Sequence, residues 1–87
     1  SREFRLGGAV LALTPREHAV LETLILRANK ATAKTLLAES VFGFDDDANP
    51  AAIEIYVHRL RKKLDGSGVE IVTLRGLGYV LRADDAG

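Results

Sequence analysis

No cysteine and no methionine occur in this sequence, its formal net charge is zero, and no apolar run approaches the roughly 18 residues of a membrane span. Without cysteine there is no disulfide scaffold and no thiolate metal site, a composition that fits a reducing cytosol. No charged n-region with an apolar h-region marks a signal peptide. The chain is therefore expected to be soluble and cytoplasmic, with no membrane partner. The missing methionine, and a start at Ser1 in the middle of an apolar pattern, predict a piece cut from a longer protein. Catalytic constellations are lacking too. His18 and His58 stand far apart, and neither paired carboxylates nor a phosphate-binding glycine loop accompanies them, so no enzyme, cofactor or metal is expected.

What is present is the makeup of one small domain. At 87 residues the chain can bury only about 60–65% of its unfolded surface, so its core must be simple. With 47% hydrophobic and 28% charged residues it is nonetheless globular, not disordered. The zero net charge hides an uneven distribution. Residues 1–55 carry six basic and eight acidic groups, residues 56–82 six basic and two acidic, and residues 83–87 two acidic. A block at +4 between two blocks at −2 is the local footprint that matters for nucleic acid.

Local signals divide the chain clearly. Residues 3–13 give two apolar runs around Gly7-Gly8, which predicts a small hairpin needing support from helices or from further strands upstream. Thr14-Pro15-Arg16-Glu17 is a capping box that opens a helix to about residue 29, with Val20, Leu21, Leu24, Ile25 and Ala28 inward and His18 at the surface or boundary. After a connector, residues 34–42 form a shorter helix with Leu37 and Val41 inward; Ala33 is a poor cap, and Thr32 can serve instead. The loop 43–48 follows, GFDDDA. Its acids fail as a calcium loop, because Pro50 stands where glycine must turn the chain and Tyr56 where a bidentate glutamate should bind. Asn49 as cap, Pro50 at the first position and Gly66 beyond the end delimit a helix over 49–64. Residues 65–68 turn, and residues 69–74 and 79–82 make a hairpin through Arg75-Gly76-Leu77-Gly78, with Gly78 and Tyr79 read as structural. That glycine pair is no dinucleotide loop, since Leu81 replaces the third glycine and no helix follows. Residues 84–87 are expected to fray.

The 49–64 helix carries the chemistry. Ile53, Val57, Leu60 and Leu64 share one face, while Ala51, Ile55, His58, Arg59 and Lys62 face the other way. Taken alone, such a basic face is a solvated surface, its lysines complementing the helix dipole. Its position after a shorter helix and before a hairpin gives it a second meaning: an α+β, winged helix-turn-helix arrangement that presents it to the major groove. An outward arginine there can donate a bidentate pair to guanine, discriminating by about 1–3 kcal/mol, whereas Lys62 and Lys63 add phosphate attraction.

Three separated stretches, LTPRE at 13–17, IEIYVHRLRKKL at 53–64 and TLRGLGYVL at 73–81, resemble in order and spacing the winged-helix output domain of OmpR/PhoB two-component response regulators. The resemblance covers residues 4–82 of a single domain, 1–87, with 83–87 as a tail. It implies three helices, an N-terminal four-stranded sheet truncated here and a C-terminal wing. It also implies double-stranded DNA, in direct-repeat sites, as the partner, a missing receiver domain, a sensor kinase upstream, and a monomer when the domain is alone. By position, Arg59 matches the base-reading arginine, Tyr56, His58 and Arg61 match phosphate- or groove-contacting residues, and Arg75, with Thr73 beside it, matches the minor-groove arginine of the wing. Loop residues Phe44, Asp45, Asp46 and Asp47 fall in the loop that contacts RNA polymerase. Phe42 stands where tryptophan is common, and Ala51 where several members place arginine. Two roles stay open for Arg61: DNA contact, or an ion pair with Glu54 or Asp65. Arg75 has the alternative of a salt bridge to the helix, Ile55 that of a partly buried edge, and the acidic loop that of a plain solvated segment. The competing function is a winged-helix module docking an acidic protein partner.

Overall fold

The computed structural model of the protein describes residues 3–6, 9–43 and 49–83, with side chains from residue 11 onward. Strands β1 (Glu3–Leu6) and β2 (Ala9–Ala12) pair antiparallel, from Glu3 opposite Ala12 to Leu6 opposite Ala9. Helix α1 (Pro15–Leu26) begins as the capping box requires: Glu17 N donates to Thr14 Oγ1 at 3.2 Å, and Thr14 N donates to Glu17 Oε1 at 3.1 Å. Helix α2 (Lys34–Phe42) and helix α3 (Pro50–Leu64) follow, then strands β3 (Val69–Leu74) and β4 (Gly78–Ala83) as an antiparallel hairpin. Asn49 Oδ1 accepts from Ala51 N at 3.0 Å, fixing the start of α3.

The core is the meeting of the three helices with the hairpin. Ile53, Val57, Leu60 and Leu64 of α3 are all buried against Val20, Leu21 and Leu24 of α1, Leu37 of α2, and Ile71, Tyr79 and Leu81 of the hairpin. Full burial of each such aliphatic side chain contributes about 1.5–3 kcal/mol, so this stripe is what holds α3 in place.

Four expectations need correction. Helix α1 ends at Leu26, because Asn29 turns left-handed at φ 68° and its N–H donates to Leu81 O of β4 at 3.0 Å. Beyond that stop Ala28 is exposed, and Ile25, near the end of the last turn, is 38% exposed. Thr32 does not cap α2, whose N-cap Ala33 has no side-chain hydrogen bond. It is fully buried and forms a one-residue antiparallel bridge with Tyr79: Thr32 N donates to Tyr79 O at 2.7 Å and Tyr79 N to Thr32 O at 2.9 Å. His18, expected at the surface or boundary, is buried at 8% exposure. Among the described residues β1 pairs only with β2, in a two-stranded sheet.

The Thr32 bridge brings two backbones very close beside Gly78. A Cβ at Gly78 would lie 2.0 Å from Thr32 O, and the residue's φ of 122° is a conformation that favours glycine. Gly76 has φ 79° but open space around it. Gly78→Ala is therefore expected to lower unfolding free energy by about 3 kcal/mol or more, whereas Gly76→Ala, which adds strain alone, costs about 1–2 kcal/mol. Urea denaturation of both variants checks the contrast; equal losses would exclude the close approach as the cause.

Candidate nucleic-acid interface

With one face of α3 committed to the core, the opposite face is solvent-exposed by geometry. Ile55 is 53% exposed, and His58, Arg59 and Lys62 surround it along the helix. Arg75 and Leu77, in the turn between β3 and β4, are exposed at the far end of the hairpin. The structure thus places Arg59, His58 and Lys62 together on one outward surface, with Arg75 on a separate projection.

The remaining predicted residues are engaged within the protein. Tyr56 is half-buried at the side of α3 that meets α1, and its hydroxyl accepts from Arg16 Nη1 at 3.1 Å. The same guanidinium lies 4.8 Å from the centre of the Phe42 ring, a cation–π contact at the place where tryptophan was noted as common. Arg61, on the side of α3 that meets the hairpin, donates to Ile71 O and to Thr73 Oγ1. The ion pair considered for it with Glu54 or Asp65 does not form; Glu54 instead meets Lys34 of α2 at 3.2 Å. That exposed pair is worth at most about 1 kcal/mol.

Lys63 departs furthest from its expected place. Its ammonium donates to Glu17 Oε1 at 2.6 Å and to Ala12 O at 2.9 Å, so it ties the last turn of α3 to the junction of β2 and α1. Glu17 is 1% exposed and also accepts from the Thr14 N–H. Burial raises the Glu17 pKa, but the hydrogen bonds from Lys63 and Thr14, with the charges of Lys63 and Arg59, outweigh it and hold the carboxyl below the usual glutamate range. Sequence reasoning found Glu17 only as half of a capping box; its burial and its lysine partner 46 positions away leave no local mark in the sequence.

A groove between the start of α2, the wing side of α3 and the hairpin is lined by Lys34, Thr35, His58, Arg61, Thr73 and Arg75, among others. Lys34 and Thr35 were not singled out from the sequence, because only the fold brings the start of α2 beside the wing. Among the described residues no cluster of three or more His, Asp or Glu side chains could hold a metal ion, and no helix is long and apolar enough to cross a membrane. Phe44, Asp45, Asp46 and Asp47 lie outside the described residues.

The family described as "Transcriptional regulatory protein, C terminal" matches residues 8–81. The chain belongs to the OmpR/PhoB-type regulators. It is 54% identical over 85 residues to the transcriptional regulatory protein TctD of Salmonella typhimurium, a match covering 97% of the chain and 38% of TctD. To BasR of Escherichia coli K12 it is 32% identical over 84 residues, covering 97% of the chain and 37% of BasR. The chain therefore spans well under half the length of these curated regulators. The Klebsiella pneumoniae RstA DNA-binding domain, solved in complex with the RstA box, matches with a TM-score of 0.76 at 28% identity over 93% of this chain and 83% of that one. The winged-helix architecture expected for an OmpR/PhoB-type domain is the observed one, and the family is one of transcriptional regulators, not enzymes.

The Lys63–Glu17 contact sets a pH dependence. A carboxylate whose folded-state pKa lies below its unfolded value of about 4.3 contributes stability that is complete above that value and is lost as pH falls through the folded one. Lys63→Met removes the partner of a buried charge, and a deficit of about 1–3 kcal/mol is expected at neutral pH, moderated because the lysine is 35% exposed. The deficit should shrink as pH falls from neutral into the carboxylate range and Glu17 protonates. Denaturant unfolding of both proteins across that range checks it, and a pH-independent deficit would exclude the carboxylate as cause.

Proposed function

We propose that this domain binds duplex DNA sequence-specifically as the output domain of a two-component response regulator, with α3 in the major groove and the Arg75 turn at the flanking minor groove. The observation that carries the reading is the surface of α3: Ile55, His58, Arg59 and Lys62 stand exposed on the face opposite a fully buried apolar stripe. A face with that mix can donate to base edges, touch a thymine methyl and attract phosphate. The RstA complex supports it by fold and by what that relative binds.

Within this reading the side chains divide their work. Arg59 reads a base; Ile55 packs on an adjacent methyl; His58 and Lys62 hold the backbone; Tyr56 offers only its hydroxyl edge, beside Arg16. Arg75 enters the narrow minor groove, whose negative potential favours arginine. The chain acts in the cytoplasm as one domain, 1–87, of a longer protein, whose receiver, phosphorylated by a sensor kinase, pairs two copies on a direct repeat. Alone, the domain is a monomer that binds a half-site weakly. Loop residues 44–47, bearing three acids that DNA phosphate would repel, meet RNA polymerase.

Random-site selection with this domain should enrich one duplex motif, and failure to enrich any would favour the protein-docking alternative. On the enriched site Arg59→Ala is expected to cost about 1–3 kcal/mol and relax preference at one base pair. Lys62→Ala should weaken all sequences alike and reduce the slope of log K against log salt by about 0.9, while Lys63→Met leaves that slope unchanged. Titrations at several salt concentrations separate the three variants.

A further inference from the structure

Arg61 occupies an unusual position for a residue of a DNA-reading helix, because its guanidinium turns back to the wing. Nε donates to Ile71 O at 3.0 Å and Nη2 donates to Thr73 Oγ1. The ladder explains why Ile71 O is available. Tyr79 of β4 exchanges its backbone bonds with Thr32, and the Leu81 carbonyl accepts from Asn29. Residues facing them across an antiparallel pair direct their backbone groups the opposite way, and those residues are Thr73 and Ile71. Strand β3 is thus an open edge facing α3, and Arg61 closes it.

The hairpin is consequently held from two sides. Thr32 and Asn29 fix β4, and Arg61 fixes β3. Arg75 begins the turn two residues after Thr73, so the arginine at the tip extends about 7 Å beyond the Arg61 anchor. A lysine would not reproduce this strut: its ammonium lacks the planar fork that sets Nε on Ile71 O and Nη2 on Thr73 Oγ1. We propose that Arg61 is a positioning residue, which sets the spacing between Arg59 on the recognition helix and Arg75 on the wing. The inference rests on the DNA-binding reading above.

The test is a double-mutant cycle on the duplex enriched by random-site selection, using the present chain. Arg61→Met and Arg75→Ala are each expected to weaken binding about tenfold, with the double variant no more than about twofold weaker than Arg75→Ala. Arg61→Lys keeps the charge and is expected to lose as much as Arg61→Met. A direct phosphate contact gives the opposite pattern: Arg61→Lys retains affinity, and the losses of Arg61→Met and Arg75→Ala multiply. Either result overturns the positioning role while leaving the DNA reading intact. If selection enriches no duplex, the DNA reading fails, and this role fails with it. Thermal unfolding of each variant accompanies the titrations, and Arg61→Lys supplies the cycle if Arg61→Met does not fold.

Discussion

Two backbone hydrogen bonds between Thr32 and Tyr79 decide where the basic surface can be. They seat the connector between α1 and α2 on the hairpin with so little room that residue 78 has no space for a side chain. Tyr79 can then bury its ring with Leu81 and Ile71 under α3, and α3 is left one covered face and one bare one. The bare face is mainly polar and basic, with Ile55 its one large apolar residue, while Ile53, Val57, Leu60 and Leu64 fill the covered one. A helix with the same basic residues and no hairpin beneath it would have no reason to point them in any particular direction.

The outline of this arrangement was legible in the sequence because its signals are local. Thr14 with Glu17, Asn49 with Pro50, and the four-residue apolar stripe of α3 each act within a few positions, and each helix start fell where its cap placed it. What failed depended on contacts distant in sequence. Thr32 has the chemistry of a cap, but the edge of β4 competes for its backbone and wins, since two buried backbone bonds outweigh one side-chain bond at a helix start. The end of α1 was misplaced by the same strand, through Asn29. Arg61, assigned by family position to DNA or else to an ion pair, and Lys63, assigned by charge to phosphate, have internal partners that were not foreseen either. Their acceptors include the carbonyls of Ile71 and Ala12, which leave no mark on a side-chain pattern, and a carboxylate 46 positions away.

The two engaged cations also alter the physical picture of the interface. Of the basic residues between 59 and 63, Arg61 and Lys63 are spent on holding the wing and the α1 start, leaving Arg59 and Lys62 outward. Spending them this way has a stabilising effect in the free protein, which four adjacent cations on one exposed helix end would lack. It also orders the surface: Lys63 connects α3 to the capping box, Arg61 connects it to β3, and both sides of the recognition helix are thereby fixed while its centre stays free.

Affinity follows from the same count. Each phosphate neutralised contributes about 0.9 to the salt slope, and under the proposed function a single domain offering Arg59, Lys62, Arg75 and the edge formed by Arg16 and Tyr56 would neutralise only a few. A chain that is neutral overall gains little from long-range attraction to DNA, so one copy is expected to bind loosely and with modest salt sensitivity. Two copies held together convert the second contact into an intramolecular one, and the combined affinity rises by orders of magnitude with no new contact to a base. A sparse interface on each domain would therefore suit the pairing proposed for the longer protein: were each copy to bind tightly by itself, bringing two together would change little.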